Sequence, residues 1–331
     1  MVMLMNNKQI YISNILYSFA VGDAMGMVTE FMDRKTISER YGIVSELLSP
    51  KDSFIHSDLK KGQVTDDTEQ NIYLLGRYLE DNCVTPENTL EALLKWIKET
   101  DAIKKGYIGP NSLKALNSVK NGGSIYEAGK SGTTCGSAMR VLAPVLFSYK
   151  SEKDILISSV KNCGIPTHNN NLAMESSMAI GFAFYSALKG ANMSEITNAF
   201  IEGGEIGRRI SPNIFVGPSV VQRIKIIKDH INSFCNDEEF MNFIYYVFGT
   251  TMEAVDIVTA AMGIFMFAKK DVWKAIRIGA SIGGDTDTVA ALAGGLSASY
   301  YGNNNIPSEI MDYVIKNNNL KIIKEISLKL A

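Results

Sequence analysis

The stretch Gly283-Gly284-Asp285-Thr286-Asp287-Thr288-Val289-Ala290-Ala291-Leu292-Ala293-Gly294-Gly295 joins an acidic, hydroxylated turn to a run of small residues. From Val289 to Tyr300, Ala290, Ala291, Ala293, Gly294, Gly295, Ser297 and Ala298 keep most positions small. Glycine inside a helix costs about 1 kcal/mol relative to alanine. Close helix–helix approach offsets that cost, so the run predicts a central, buried helix. Leu172 to Leu188, with Ala173, Ser176, Ser177, Ala179, Gly181, Ala183 and Ala187, predicts another. The acidic turn therefore stands at the end of a rigid core element, where a site is best supported.

A matching cluster, Thr65-Asp66-Asp67-Thr68, precedes an amphipathic helix over 69–82 marked by Ile72, Leu75, Tyr78 and Leu79. Taken alone, either cluster reads as an ordinary helix cap, since Asp and Thr satisfy free N–H groups and the helix dipole. The repetition, and the Gly283-Gly284 pair that permits tight backbone geometry, is more than a cap needs. Four carboxylates that converge in a fold cannot all stay ionised without cations between them. Oxygen-only ligands suit Mg²⁺ or Mn²⁺ rather than zinc. The pair of clusters predicts a two-metal site.

Helical signals dominate elsewhere. Thr85-Pro86 predicts an N-cap and first helical residue for a helix through Trp96. Asn192 with Glu195, and Asn236 with Glu239, predict capping boxes. Asp271 predicts a cap for a helix carrying Trp273 and Ile276. Short β-branched runs at Ile43–Leu48 and Ile214–Val216 do not alternate for long. Gly22 and Gly26 around Asp23 predict a break in the helix begun at Ile10. The expectation is a nearly all-α chain forming a single domain over 1–331.

The 331 residues are 46% hydrophobic, enough for a large core, and the net charge is -2. With a pI near 6.0 and scattered cations, no nucleic-acid surface is expected. Cysteines 83, 135, 163 and 235 form no CxxC pair and no zinc-spaced set with histidine. The N-terminus lacks a charged segment followed by a long apolar core, and the most apolar stretch, Ala254 to Ala268, is too short to cross a bilayer. A reduced, cytoplasmic setting without membrane contact is the expectation.

Four further stretches could carry chemistry. Glu30, after Gly22-Asp23-Ala24-Met25-Gly26, is a carboxylate beside Phe31 and Met32 that could activate water. Gly109-Pro110-Asn111-Ser112 opens a helix, with Asn111 or Ser112 as its cap and an anion site at its N-terminus. Gly132 to Arg140, including Cys135, Gly136, Ser137 and Met139, could cradle a pyrophosphate through backbone N–H groups. No histidine near Cys135 supports a nucleophile there, so its expected role is a contact. His168, before the small-residue helix, reads as a cap, a core residue or a substrate contact.

In order along the chain, GDAMGMVTE (22–30), TDDT (65–68), GPNS (109–112), GSAMRVLAP (136–144), TH (167–168) and GGDTDT (283–288) resemble the ADP-ribosylglycohydrolase family. That resemblance implies a compact, orthogonal all-α fold with a dinuclear Mg²⁺ or Mn²⁺ centre. It implies metal ligation by Thr65, Asp66, Asp67, Asp285, Asp287 and Thr288, and catalysis by Glu30 and Asp66. It also implies substrate contacts at Gly109, Asn111, Ser112, Cys135, Gly136, Ser137, Met139, His168 and Gly284. The implied activity is an N- or O-glycosyl hydrolase that releases ADP-ribose from an acceptor by cleavage at the anomeric carbon.

Two departures stand out. Family members commonly carry Asn-Gly where this chain has Cys135-Gly136. The nitrogenase-regulating members carry Asp where this chain has Tyr107. Both bear on arginine-linked specificity, and neither touches the metal ligands. The implied partner is an ADP-ribose conjugate, such as an ADP-ribosylated protein. Alternatives are another conjugate, such as O-acetyl-ADP-ribose or an ADP-ribosylated nucleobase, and a silent ADP-ribose binder or structural protein.

Overall fold

The computed structural model describes residues 6–331. Helices follow one another throughout, and among the described residues the only extended pairing is an isolated antiparallel bridge between Thr134 and Glu253. The β-branched runs at 43–48 and 214–216 form no strand. The all-α expectation holds.

The Thr286–Tyr301 helix lies at the centre, buried from Thr286 to Ser299. It packs mainly on the Asn7–Gly26 helix, and then on Val272–Ser281 and Ala254–Ala268. The expected break at Gly22 and Gly26 does not occur, because the first helix runs unbroken to Gly26. These glycines serve close approach instead. A Cβ on Gly22 would strike the Ala290 carbonyl, and one on Gly26 would strike the backbone of Thr286 and Asp287. The second small-residue helix, Asn171–Leu188, packs on Met193–Ile210 in the same backbone-close way. One connected hydrophobic core runs from Ile12 to Leu330.

Local signals place most helix starts. Thr85 and Asn88 form a capping box at Pro86–Thr100, as do Asn192 and Glu195 at Met193–Ile210. Asp271 accepts from the Lys274 N–H. At Asp237–Phe243 only half of the expected box forms: Asn236 accepts from the Glu239 N–H, while Glu239 turns to the Cys235 N–H. The Pro110–Lys120 helix is capped by Gly109 and not by Asn111 or Ser112, since Pro110 takes the first helical position.

Gly26→Ala should destabilise the protein by about 1–3 kcal/mol, the usual cost of overpacking. The obstacle is backbone, so no side chain can swing aside. Urea unfolding of the variant checks this, and a change within a few tenths of a kcal/mol would contradict the close-contact account.

Candidate metal centre

Asp23, fully buried on the first helix, organises the first acidic cluster. Its carboxylate accepts from the Thr65 N–H at 3.0 Å, the Thr65 hydroxyl at 2.9 Å, the Thr68 N–H at 3.1 Å and the Thr68 hydroxyl at 2.5 Å. Thr65 is the N-cap of the Asp66–Asp81 helix but makes no capping bond with its own side chain. Asp23 supplies that acceptor from another helix, satisfying N–H groups that a helix start leaves free.

Gly283 and Gly284, at φ +90° and +80°, turn the chain into the second cluster. The Gly284 N–H donates to the Met32 carbonyl at 2.9 Å, and its carbonyl accepts from the Phe31 N–H at 2.7 Å. This clasp sets Glu30 beside Asp287. The two clusters then meet. The Thr65 hydroxyl lies 3.4 Å from Asp287 Oδ2, and the Thr288 hydroxyl lies 3.3 Å from Asp67 Oδ2.

Between them is a cavity of about 70 Å³ lined by Glu30, Asp66, Asp67, Asp285, Asp287 and Thr288. Tyr107, Gly109, Ser112, Thr134, Cys135, Gly136 and Met139 also line it. Thr65, Asn111, Ser137, His168 and Gly284 do not. Thr65 stands behind the acids on Asp23, and Gly284 is held in the clasp. Asn111 reaches Thr134 at 3.2 Å, and His168 reaches the same hydroxyl at 3.0 Å from behind. Ser137 pairs with Ser177 at 2.7 Å. Arg140 is buried against the Cys163 carbonyl and the Thr167 hydroxyl, so it is an internal strut of the core.

The charge arrangement is costly without cations. Burial, and then the charge of Asp287, pushes Asp23 up to about 7. Burial, and then Asp285, pushes Asp287 up to about 7. Burial holds Asp66 and Asp67 well above the carboxylate range, with Asp287 adding to it. Glu30 is raised in the same way, first by burial and then by Asp287 and Asp285. Asp67 Oδ1 and Asp285 Oδ1 are buried with no hydrogen-bond partner. Orphaned carboxylate oxygens among like charges fit an oxygen-ligated divalent cation.

The Cys135 thiol points at Asp285 Oδ2 from 3.4 Å. Burial, and then Asp285, raises its pKa well above the ordinary thiol value. It is a neutral wall group, not an activated nucleophile.

The sequence reading missed His56. Its Nε2 lies 2.6 Å from Glu30 Oε2, and donor atoms of Glu30, His56 and Asp287 all lie within 4.8 Å of one another. The expected all-oxygen surroundings therefore include one nitrogen. His56 stands alone in a polar loop, and only the fold brings it to Glu30. A larger cleft of about 1020 Å³ adjoins this wall, lined by His56, Glu69, Tyr73, Arg77, Lys95 and Lys105 among others. Glu69, which lines the cleft, accepts from the hydroxyl of Tyr107, which lines the small cavity, at 2.9 Å, so the pair bridges the partition between them.

The chain matches the family described as ADP-ribosylglycohydrolase over residues 11–329. It belongs to the ADP-ribosylglycohydrolase family. It is 28% identical to an uncharacterised Escherichia coli (strain K12) protein, YegU, over 88% of this chain and 87% of that one. It is 24% identical to the ADP-ribosyl-[dinitrogen reductase] glycohydrolase of Rhodospirillum rubrum, over 87% of this chain and 85% of that one. A solved structure described as an ADP-ribosylglycohydrolase-related protein complex superposes with a TM-score of 0.69 at 22% identity, covering 98% of each chain. Among the described residues, no helix is long and apolar enough to cross a membrane.

A divalent cation should raise the thermal midpoint, and EDTA should lower it, because binding to the folded state stabilises by mass action. The pH dependence follows from Asp23 and Asp287. An acid whose folded pKa of about 7 exceeds its unfolded value of 3.8 takes up a proton on folding between those limits. Their contribution to metal-free stability therefore falls as pH rises from about 4 to about 7. Scanning calorimetry at pH 5 and pH 8 should show a larger gain from Mn²⁺ at pH 8. No gain from Mg²⁺ or Mn²⁺ at either pH would count against the site.

Proposed function

We propose that the protein is a metal-dependent hydrolase that cleaves the glycosidic bond between ADP-ribose and an acceptor. The observation that carries this reading is the convergence of both acidic clusters on one small cavity with orphaned carboxylate oxygens. Asp66, Asp67, Asp285, Asp287 and Thr288, which line the cavity, would hold two Mg²⁺ or Mn²⁺ ions, with the Thr65 hydroxyl, 3.4 Å from Asp287 Oδ2, as a further ligand from its edge. Bound there, the ions balance the carboxylates and offer oxygen coordination to substrate hydroxyls and water.

The chain's own groups supply the rest. Glu30, at the cavity edge, orients the attacking water and accepts its proton. Asp66, held by Gln70 at 2.9 Å, faces the anomeric carbon's developing positive charge. Water adds at that carbon, and the acceptor departs with the bonding electron pair and takes up a proton. Gly109, Ser112, Cys135, Gly136 and Met139 line the wall around the reacting ribose. A cavity of about 70 Å³ takes this reacting end, and the remainder of the ligand lies outside it.

Relatives support the substrate class: two matched proteins are named for hydrolysis at ADP-ribosylated dinitrogen reductase and at ADP-ribosylarginine. One local feature favours a second reading of the acceptor. Tyr107 lines the cavity, and its hydroxyl is already committed to Glu69. It offers no carboxylate to a guanidinium, which favours an acceptor other than arginine, such as an O-acetyl group or a nucleobase.

Product analysis over ADP-ribosyl-arginine, -serine, -nucleobase and O-acetyl-ADP-ribose, with and without Mg²⁺ or Mn²⁺, tests the reading. Asp66→Asn and Asp285→Asn should abolish turnover with the fold intact. Glu30→Gln should lose roughly 10²–10⁴-fold in kcat, the usual worth of a general base, while keeping cation binding. Cation-independent turnover, or wild-type rates in Glu30→Gln, would refute the assigned roles.

A further inference from the structure

Glu30 lies beyond the end of the Asn7–Gly26 helix, in a turn that closes at Phe31 with φ +61°. The turn fixes its backbone, but the carboxylate sits at the end of a flexible side chain that is 12% exposed. His56 meets it there. The Nε2 to Oε2 distance of 2.6 Å puts the two groups in direct hydrogen-bond contact.

The backbone that carries the ring is firmly placed. The His56 N–H donates to the Ser53 hydroxyl at 3.0 Å, and the Leu59 N–H donates to the His56 carbonyl at 3.0 Å. The side chain is 3% exposed. Its Nδ1 is buried and has no partner among the described residues. A buried nitrogen without a partner costs stability. An apolar residue would therefore pack this wall better, if packing were the only task. Among the described residues, the ring's one hydrogen bond is the contact with Glu30.

We propose that His56 is a positioning residue for Glu30: its Nε2–H holds the carboxylate aimed at the acidic cavity. This rests on the hydrolytic reading of Glu30. It adds that the loop 53–64, which also walls the larger cleft, is what fixes the aim.

The test compares His56→Leu, His56→Gln, Glu30→Gln and the double variant His56→Leu/Glu30→Gln. Should His56→Leu not fold, His56→Asn, polar but too short to reach Glu30, replaces it. With a cleaved conjugate, His56→Leu should lose about 100-fold in kcat, the effect of a misplaced group. KM and the Mn²⁺ affinity measured by calorimetry should stay within about twofold. His56→Gln, whose amide can donate in the same direction, should recover at least about tenfold of the loss. The double variant should be no slower than Glu30→Gln, because the two residues act as a unit.

Unchanged kcat, additive losses, or a loss that tracks Mn²⁺ affinity would overturn the proposal, the last by making His56 a metal ligand. A crystal structure of His56→Leu with Mn²⁺ gives a readout independent of turnover. A displaced Glu30 carboxylate supports the proposal, and an unmoved one overturns it. If the wild-type protein cleaves no conjugate, the hydrolytic reading fails, and this structure alone decides whether His56 positions Glu30.

Discussion

The grip of the Asp23 carboxylate on Thr65 and Thr68 is the constraint on which the site depends. It buries a charge to hold the start of the Asp66–Asp81 helix. Three residues further on, on the same face of the same helix, Gly26 touches the backbone of Asp287. One turn of one helix thus registers both acidic clusters, which are far apart in sequence. The clasp between Gly284 and the Phe31 and Met32 backbone closes the arrangement and brings in Glu30. Each cluster is thus positioned by contacts with the first helix and the turn after it, and not by its own loop alone.

This arrangement explains why so much negative charge is tolerated. Asp23 is satisfied by its donors and works as structure. Asp67 and Asp285, one from each cluster, each leave one buried oxygen unmet. Orphaned oxygens among like charges are the arrangement that an oxygen-ligated divalent cation would neutralise. In the proposed reaction these fixed oxygens would face developing positive charge, the condition under which electrostatic stabilisation is strongest.

Much of this was legible in the sequence. The small-residue runs announced the two buried helices because tight helix packing needs small side chains and little else. The Thr/Asp/Asp repeats announced the site because no cap needs Gly283-Gly284 as well. Asp23 was read only as part of a glycine-flanked break. Its role lies in bonds to residues more than 40 positions away, and glycines in close contact look locally like glycines in a turn. His56 was invisible for a related reason: a lone histidine in a polar loop carries no periodicity or spacing. Asn111 and Ser112 have the residue types of a cap, but proline at the first helical position hands that role to Gly109 before it. His168 and Ser137 lie in the motif segments but face the core, since a motif marks a segment and not the direction of each side chain.

The contact of Gly22 and Gly26 with the Thr286–Tyr301 helix is made between main chains, not between side chains. Its shape is therefore the same whatever apolar residues fill the surrounding core. Such a joint insulates the geometry of the acidic cluster from sequence drift: peripheral helices can exchange their side chains freely while the acids keep their spacing. A chain only 22% identical can then share this fold over 98% of its length. The same insulation leaves the cavity wall, with Tyr107 and Cys135, free to vary without disturbing the charge cluster beneath it.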